Sequence, residues 1–160
     1  MNKREIKTVL TDYNSPAELN EIQQELIKKA KEAAETAYAP YSKFRVGAAV
    51  LLENGEIVQG NNQENAAYPS GLCAERVAIF YANSKYPNTA IKAIAVTANT
   101  NNGFIKEPIP PCGSCLQVML ETEQRYGNSI QVILYGEEKI TEADSIKQFL
   151  PVNFNKEMLK

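Results

Sequence analysis

The feature that most restricts this chain is the placement of its three cysteines. Cys73 sits in Cys73-Ala74-Glu75-Arg76, and Cys112 and Cys115 sit in Pro111-Cys112-Gly113-Ser114-Cys115. There is no histidine. Thiolates bind zinc well, and a Cys-x-x-Cys pair at a helix start can put two sulfurs on one ion. Structural zinc sites fill all four positions with protein groups, whereas catalytic sites leave one for water. This chain supplies three good ligands and then runs out. If zinc binds, the fourth position falls to water, with the Glu75 carboxylate two residues from the first ligand. That is a hydrolytic site in outline, built from two segments far apart in sequence.

Composition narrows the class. With 160 residues, one domain spanning 1–160 has room for a sizeable core. Hydrophobic residues make up 44% and charged residues 22%, the balance of a soluble globular protein. No apolar run is long enough to span a membrane. Met1-Asn2-Lys3-Arg4-Glu5 leads into no apolar core of a secretory signal. An odd cysteine count argues against a disulfide framework and fits a reducing cytoplasm. The net charge of −2 comes with scattered lysines and arginines rather than a basic cluster. A nucleic-acid polymer is therefore not the expected partner, and a small molecule is.

Along the chain, residues 1–14 read as an extension or an extra strand. Ser15-Pro16-Ala17-Glu18 is a capping box with proline at the first helical position. The helix it predicts runs to about Tyr38, with Leu19, Ile22, Leu26, Ala30, Ala33 and Ala37 as one apolar stripe. Phe44 to Leu52 and Ile57 to Gly60 flank Asn54-Gly55, a strong hairpin signal. Gly47, Ala48 and Ala49 keep the first of these strands thin, so that another backbone or a ligand can approach. Asn61 to Gly71 is a polar loop leading to Cys73, where a helix runs to about Asn83. Ile91 to Ala98 fits a buried strand. Asn99 to Pro111, with three prolines, reads as a surface loop and candidate lid. Cys112 opens a helix through about Arg125, with Val118 and either Leu120 or Met119 facing the core. Ile130 to Tyr135 is a further strand, followed by a polar stretch and a short helix near Asp144–Phe149. This alternation implies an α/β layered domain.

Both cysteine segments fall at predicted helix N-termini, where backbone N–H groups and the helix dipole favour thiolates. Plainer readings exist for each residue. Cys73 is then a small buried residue, and Cys112 and Cys115 are a redox pair. Glu75 is then an ordinary first-turn acid, and Arg76 a surface charge. The third cysteine with its adjoining Glu75 moves the balance towards metal. Three thiolates and Zn²⁺ sum to −1, so an arginine donating to the sulfurs is useful chemistry around the ion.

Cys73-Ala74-Glu75 with Pro111-Cys112-x-x-Cys115 resembles the zinc nucleoside and nucleobase deaminases, in the variant where cysteine replaces the histidine ligand. More narrowly the chain resembles the small cytidine deaminases of pyrimidine salvage. The matching stretches are Tyr41-Ser42-x-Phe44-x-Val46-Gly47-Ala48-Ala49, Asn62-x-Glu64-Asn65-Ala66-Ala67-Tyr68, Cys73-Ala74-Glu75-Arg76, Pro111-Cys112-Gly113-x-Cys115-x-Gln117 and Leu150-Pro151-x-x-Phe154. The likeness covers about Leu26 to Phe154, and residues 1–20 are an N-terminal extension beyond it.

The resemblance implies a three-layer α/β/α sandwich with a mixed central sheet. It implies one zinc per chain on Cys73, Cys112 and Cys115, with Glu75 as proton shuttle. Asn62 and Glu64 match the pair that holds the ribose hydroxyls, and Phe44 an aromatic that packs on the pyrimidine. Ala74 is implied as a further substrate-binding position. Tyr68 and Phe154 match positions that reach neighbouring subunits of a homotetramer. The implied reaction is hydrolytic deamination of cytidine and 2′-deoxycytidine. Action on another aminonucleoside, such as a nucleoside antibiotic, and a non-catalytic zinc or redox role are the alternatives. Leu116 departs from the pattern, since an arginine commonly follows that cysteine. Residues 97–110 are also longer than in compact members.

Overall fold

The computed structural model describes residues 1–159. Its elements are, in order, β1 (Thr11–Tyr13), α1 (Glu21–Glu35), β2 (Arg45–Leu52), β3 (Ile57–Asn61) and α2 (Ala74–Lys85). There follow β4 (Ile91–Thr100), β5 (Gly103–Phe104), α3 (Gly113–Tyr126), β6 (Gln131–Tyr135) and β7 (Ile140–Ala143). The strands form one sheet in the order β1-β7-β6-β4-β2-β3, with β5 paired to β4. Among the described strands only β4 and β6 run parallel, and α3 makes the crossover between them. The other pairs are antiparallel, so the sheet is mixed. Among the described residues no helix is long and apolar enough to cross a membrane.

Successive residues of a strand point to opposite faces, and β4 shows how that divides the core. Ala93 and Ala95 pack in the layer of α1, with Leu26, Ile27, Ala30 and Ile133. Ile94 and Val96 pack in the layer of α2 and α3, with Ala78, Ile79, Met119 and Leu120. Helices therefore cover both faces, the three-layer α/β/α sandwich expected. Met119 and Leu120 both face the core.

The first helix starts later than the capping box suggests. Ser15 does form a capping box with Glu18, but it closes only a 3-10 turn over Pro16–Glu18. Leu19 then turns extended and inserts into the core, and Asn20 caps α1 with a second box through Gln23. The helix ends at Glu35, short of Tyr38. Its inward face is Gln23, Leu26, Ile27, Ala30, Ala33 and Ala34; Ile22, counted in the apolar stripe, faces solvent. The hairpin between β2 and β3 turns at Asn54-Gly55, with Gly55 at φ +86°, the region glycine tolerates without penalty.

Two stretches differ from expectation. Residues 99–111 are not a free lid: β4 continues to Thr100 and folds back as β5. Ile105 then donates to Ala98, and Glu137 and Glu138 donate to the carbonyls of Ile105 and Lys106. The polar stretch after Gly136 contains a strand, β7, whose four residues are all buried. Its Thr141 donates to Asp12 Oδ1 at 2.6 Å, and Glu142 accepts from Gln23 Nε2 at 2.8 Å. Polar partners from β1 and α1 satisfy the strand, so the hydropathy pattern hides it. The short helix beyond is a 3-10 turn over Ile146–Gln148.

Small residues set how close the layers come. A Cβ on Gly47 would lie 2.0 Å from the Ala30 carbonyl oxygen of α1. One on Gly60 would lie 2.4 Å from the Ala78 nitrogen and 2.6 Å from the Ala74 oxygen of α2. The thin strands thus admit helix backbone, and Gly60 seats the start of α2, beside Cys73 and Glu75. Backbone cannot give way as a side chain can, so Gly60→Ala should cost about 1–3 kcal/mol or more. Gly113→Ala, whose Cβ would meet nothing within 4 Å, is the control. A urea midpoint lowered only in Gly60→Ala is the expected result; equal midpoints would contradict this role.

Candidate active site

Cys73 and Cys112 are the N-caps of α2 and α3, both in extended conformation, and Cys115 lies in the first turn of α3. The sheet places these two helix starts side by side. The three sulfurs all lie within 4.8 Å of one another. Cys73 and Cys112 are 3.8 Å apart, and Cys112 and Cys115 are 3.5 Å apart. Bonds of about 2.3 Å to a tetrahedral ion would separate two sulfurs by roughly 3.8 Å. Donor type and spacing both fit zinc, and the three cysteines are positioned to hold a metal ion.

The surroundings are arranged for negative sulfur. Arg76, one turn into α2, donates from Nη2 to Cys73 Sγ at 3.6 Å. The Cys115 thiol and the Arg76 guanidinium hold the Cys73 thiol down at about 5. Cys115 is pushed up, because it shares its proton with Cys73 and is buried. The negative charge of the cluster is thus centred on Cys73 before any metal arrives. Glu75 is only 4% exposed, and burial raises its carboxyl above the ordinary range. A carboxyl shifted in that direction is suited to taking up and giving back a proton near neutrality.

A cavity of about 600 Å³ opens above this cluster, with Cys73, Glu75, Arg76 and Cys112 in its wall. Its opposite wall is the segment after β3. There Tyr38 N donates to the Asn62 carbonyl at 3.1 Å, and Glu64 N donates to the Tyr38 carbonyl at 2.9 Å. This short extended stretch puts Asn62 and Glu64, two residues apart, on one face, and both line the cavity. Asn62 accepts from Val46 N at 2.8 Å and donates to the Phe44 carbonyl at 3.0 Å. Glu64 Oε2 accepts from Tyr41 N at 2.9 Å and Ser42 N at 3.3 Å, while Ser42 Oγ donates to Oε1. These bonds, that of Ser42 first, hold the Glu64 carboxyl below its ordinary range.

The fold therefore gathers Cys73, Cys112, Glu75, Arg76, Asn62, Glu64 and Tyr68 around one cavity, with Cys115 buried beneath. Tyr68 is on its rim, 6.4 Å from Tyr41 in an edge-to-face pair. Three expected residues lie elsewhere. Phe44 is half-buried at the entry to β2, outside the cavity wall. Ala74 is fully buried against Gly60. Phe154 is exposed on the C-terminal tail, its carbonyl accepting from Gln117 Nε2 at 2.9 Å. Leu116 is buried in the layer of α2 and α3, which leaves Arg76 as the cation at the sulfurs. Ile109 and Pro110 line the cavity although no motif marks them; the proline-rich stretch was the only signal. Ser42 was visible within Tyr41-Ser42-x-Phe44, without a role.

Comparison with known proteins agrees with this geometry. Residues 20–126 match the cytidine and deoxycytidylate deaminase zinc-binding region. A cytidine deaminase of Sporosarcina psychrophila is 43% identical over 136 residues, covering 85% of this chain and 93% of that protein. One of Halalkalibacterium halodurans is 51% identical over 98 residues, covering 61% of this chain and 70% of that protein. Among solved structures, a cytidine deaminase from Burkholderia pseudomallei superposes with a TM-score of 0.70 at 39% identity, covering 81% of this chain and 97% of that one. One from Mycobacterium tuberculosis gives 0.64 at 30% identity, covering 82% and 95%. With two thirds of its length matched and its thiol cluster inside that match, the chain belongs to the cytidine and deoxycytidylate deaminase family.

Proposed function

We propose that this protein hydrolytically deaminates cytidine and 2′-deoxycytidine to uridine and 2′-deoxyuridine, releasing ammonia. The observation that carries the reading is a buried carboxylate, Glu75, beside three converging sulfurs in a cavity whose far wall presents Asn62 and Glu64. A zinc ion held by Cys73, Cys112 and Cys115 would supply a water of lowered pKa in its open position. Glu75 takes a proton from the attacking water and delivers it to N3 of the pyrimidine; it then takes the second proton from the hydroxyl now on C4 and passes it to the amine, which leaves as ammonia while C4 becomes a carbonyl. Burial keeps Glu75 away from bulk water and near the protonation balance that such shuttling needs. Asn62 and Glu64 bind the sugar: a carboxylate accepts a strong charge-assisted bond from a hydroxyl. The reading keeps Phe44 as the residue that packs on the base and Ala74 as a backbone contact at the start of α2, although neither side chain lines the cavity of the single chain.

The reading takes residues 1–160 as one deaminase domain with residues 1–20 as its extension. In its support, the family match begins at residue 20 and β1 joins the same sheet. It also takes the working form as a homotetramer, with Tyr68 and Phe154 reaching neighbouring subunits. Both are exposed, at 78% and 58%, and Tyr68 lines the cavity. A reducing compartment such as the cytoplasm suits three free thiols that must remain ligands.

Two variants test the chemistry. Glu75→Gln should retain zinc and the folded state while turnover of cytidine falls about 10²–10⁴-fold, followed as uridine by ultraviolet absorbance. A zinc-loaded Glu75→Gln protein of near wild-type activity would remove Glu75 from the reaction. Arg76→Ala removes the hydrogen bond to sulfur and the charge that offsets the −1 of three thiolates and Zn²⁺. Its zinc affinity should fall about 10–100-fold in competition with a chelator. Unchanged affinity would reduce Arg76 to a surface charge.

A further inference from the structure

Glu64 does more inside the protein than wait for a sugar. Its Oε2 is filled by two backbone donors, Tyr41 N and Ser42 N, and its Oε1 accepts from Ser42 Oγ. Ser42 Oγ in turn accepts from Phe44 N at 3.0 Å. The loop that makes these bonds is an unusual one, because Lys43 adopts φ +58°. That left-handed conformation is uncommon for a lysine and must be held by its surroundings. Lys43 N donates to the Ala39 carbonyl at 3.1 Å, which closes the loop from the other side.

An ionised carboxylate offers about four lone-pair positions. Three on Glu64 are taken, and the one left is on Oε1, the oxygen that Ser42 holds. Ser42 and Glu64 both line the cavity. We infer that Ser42 is a positioning residue for substrate selection: its hydroxyl fixes the Glu64 carboxylate so that a single acceptor position meets a single sugar hydroxyl. The inference rests on the reading of Glu64 as the sugar-binding residue. It makes the preferred substrate class a nucleoside with a free hydroxyl on the sugar, held by one bond to Glu64 rather than by a two-hydroxyl clamp. The lowered carboxyl of Glu64 agrees with it, since the Ser42 bond keeps the acceptor ionised.

The test uses the full-length zinc-loaded protein with cytidine and 2′,3′-dideoxycytidine, which lacks the sugar-ring hydroxyls. The quantity read is the ratio of kcat/KM for the two substrates, which does not depend on the fraction of protein that is folded. In Ser42→Ala that ratio should fall about ten- to a hundredfold, the loss expected for a hydrogen bond to a charged group. The fall should come through KM for cytidine, and Ser42→Thr, which keeps a hydroxyl, should restore it. An unchanged ratio in Ser42→Ala together with a lowered ratio in Glu64→Gln would overturn the role of Ser42 while leaving Glu64 on the sugar. An unchanged ratio in Glu64→Gln would overturn the sugar reading, and the inference with it.

Discussion

Two helix N-termini meet at one end of a sheet in this protein, and the rest of the structure depends on what makes that meeting favourable. Each N-terminus carries the equivalent of about half a positive charge from its unpaired N–H groups. Side by side and empty, they would repel. Here both caps are cysteines, so negative sulfur lies where the two positive ends converge. Once all three sulfurs give up their protons to bind a metal, charge accumulates the other way: three thiolates exceed what two dipoles offset. Arg76 supplies one cation from within α2, and a divalent ion would balance the remainder. The same electrostatic arrangement that lets the helices approach therefore makes a metal site.

Packing supplies the accuracy that charge alone lacks. Gly60 lets the backbone of α2 press against β3 at Ala74 and Ala78, and Gly47 does the same for α1 against β2. Contacts made by backbone tolerate little adjustment, so the start of α2 is set at a fixed height above the sheet. Cys115, fully buried, anchors the first turn of α3 in the same layer. On the other wall, Asn62 and Glu64 are each tied to the backbone of residues 41–46. Both walls of the cavity are thus ordered by bonds internal to the chain, which is the preorganisation that selective binding calls for.

The metal cluster was legible because its chemistry is local: cysteines, an adjoining carboxylate and helix starts can be read from residue types and spacing. The Asn54-Gly55 hairpin and the strands of β2, β4 and β6 were legible for the same reason. Elements whose burial depends on distant partners were not. Thr141 and Glu142 lie in what reads only as a polar stretch, because the partners that let them be buried, Asp12 and Gln23, are more than a hundred positions earlier. The true start of α1 was obscured by two capping boxes five residues apart, each locally valid. Asn62 and Glu64 illustrate the limit most clearly. Without the family resemblance they make an ordinary polar turn, and only pairing with Tyr38 aims both side chains into the cavity.

Purified protein, incubated with cytidine while its absorbance is followed and assayed for zinc on the same sample, decides whether the thiol cluster and Glu75 form a deaminase site. About one zinc per chain with steady conversion of cytidine to uridine is the predicted result. Folded protein that holds no zinc, and that remains inactive after zinc is restored, would contradict it.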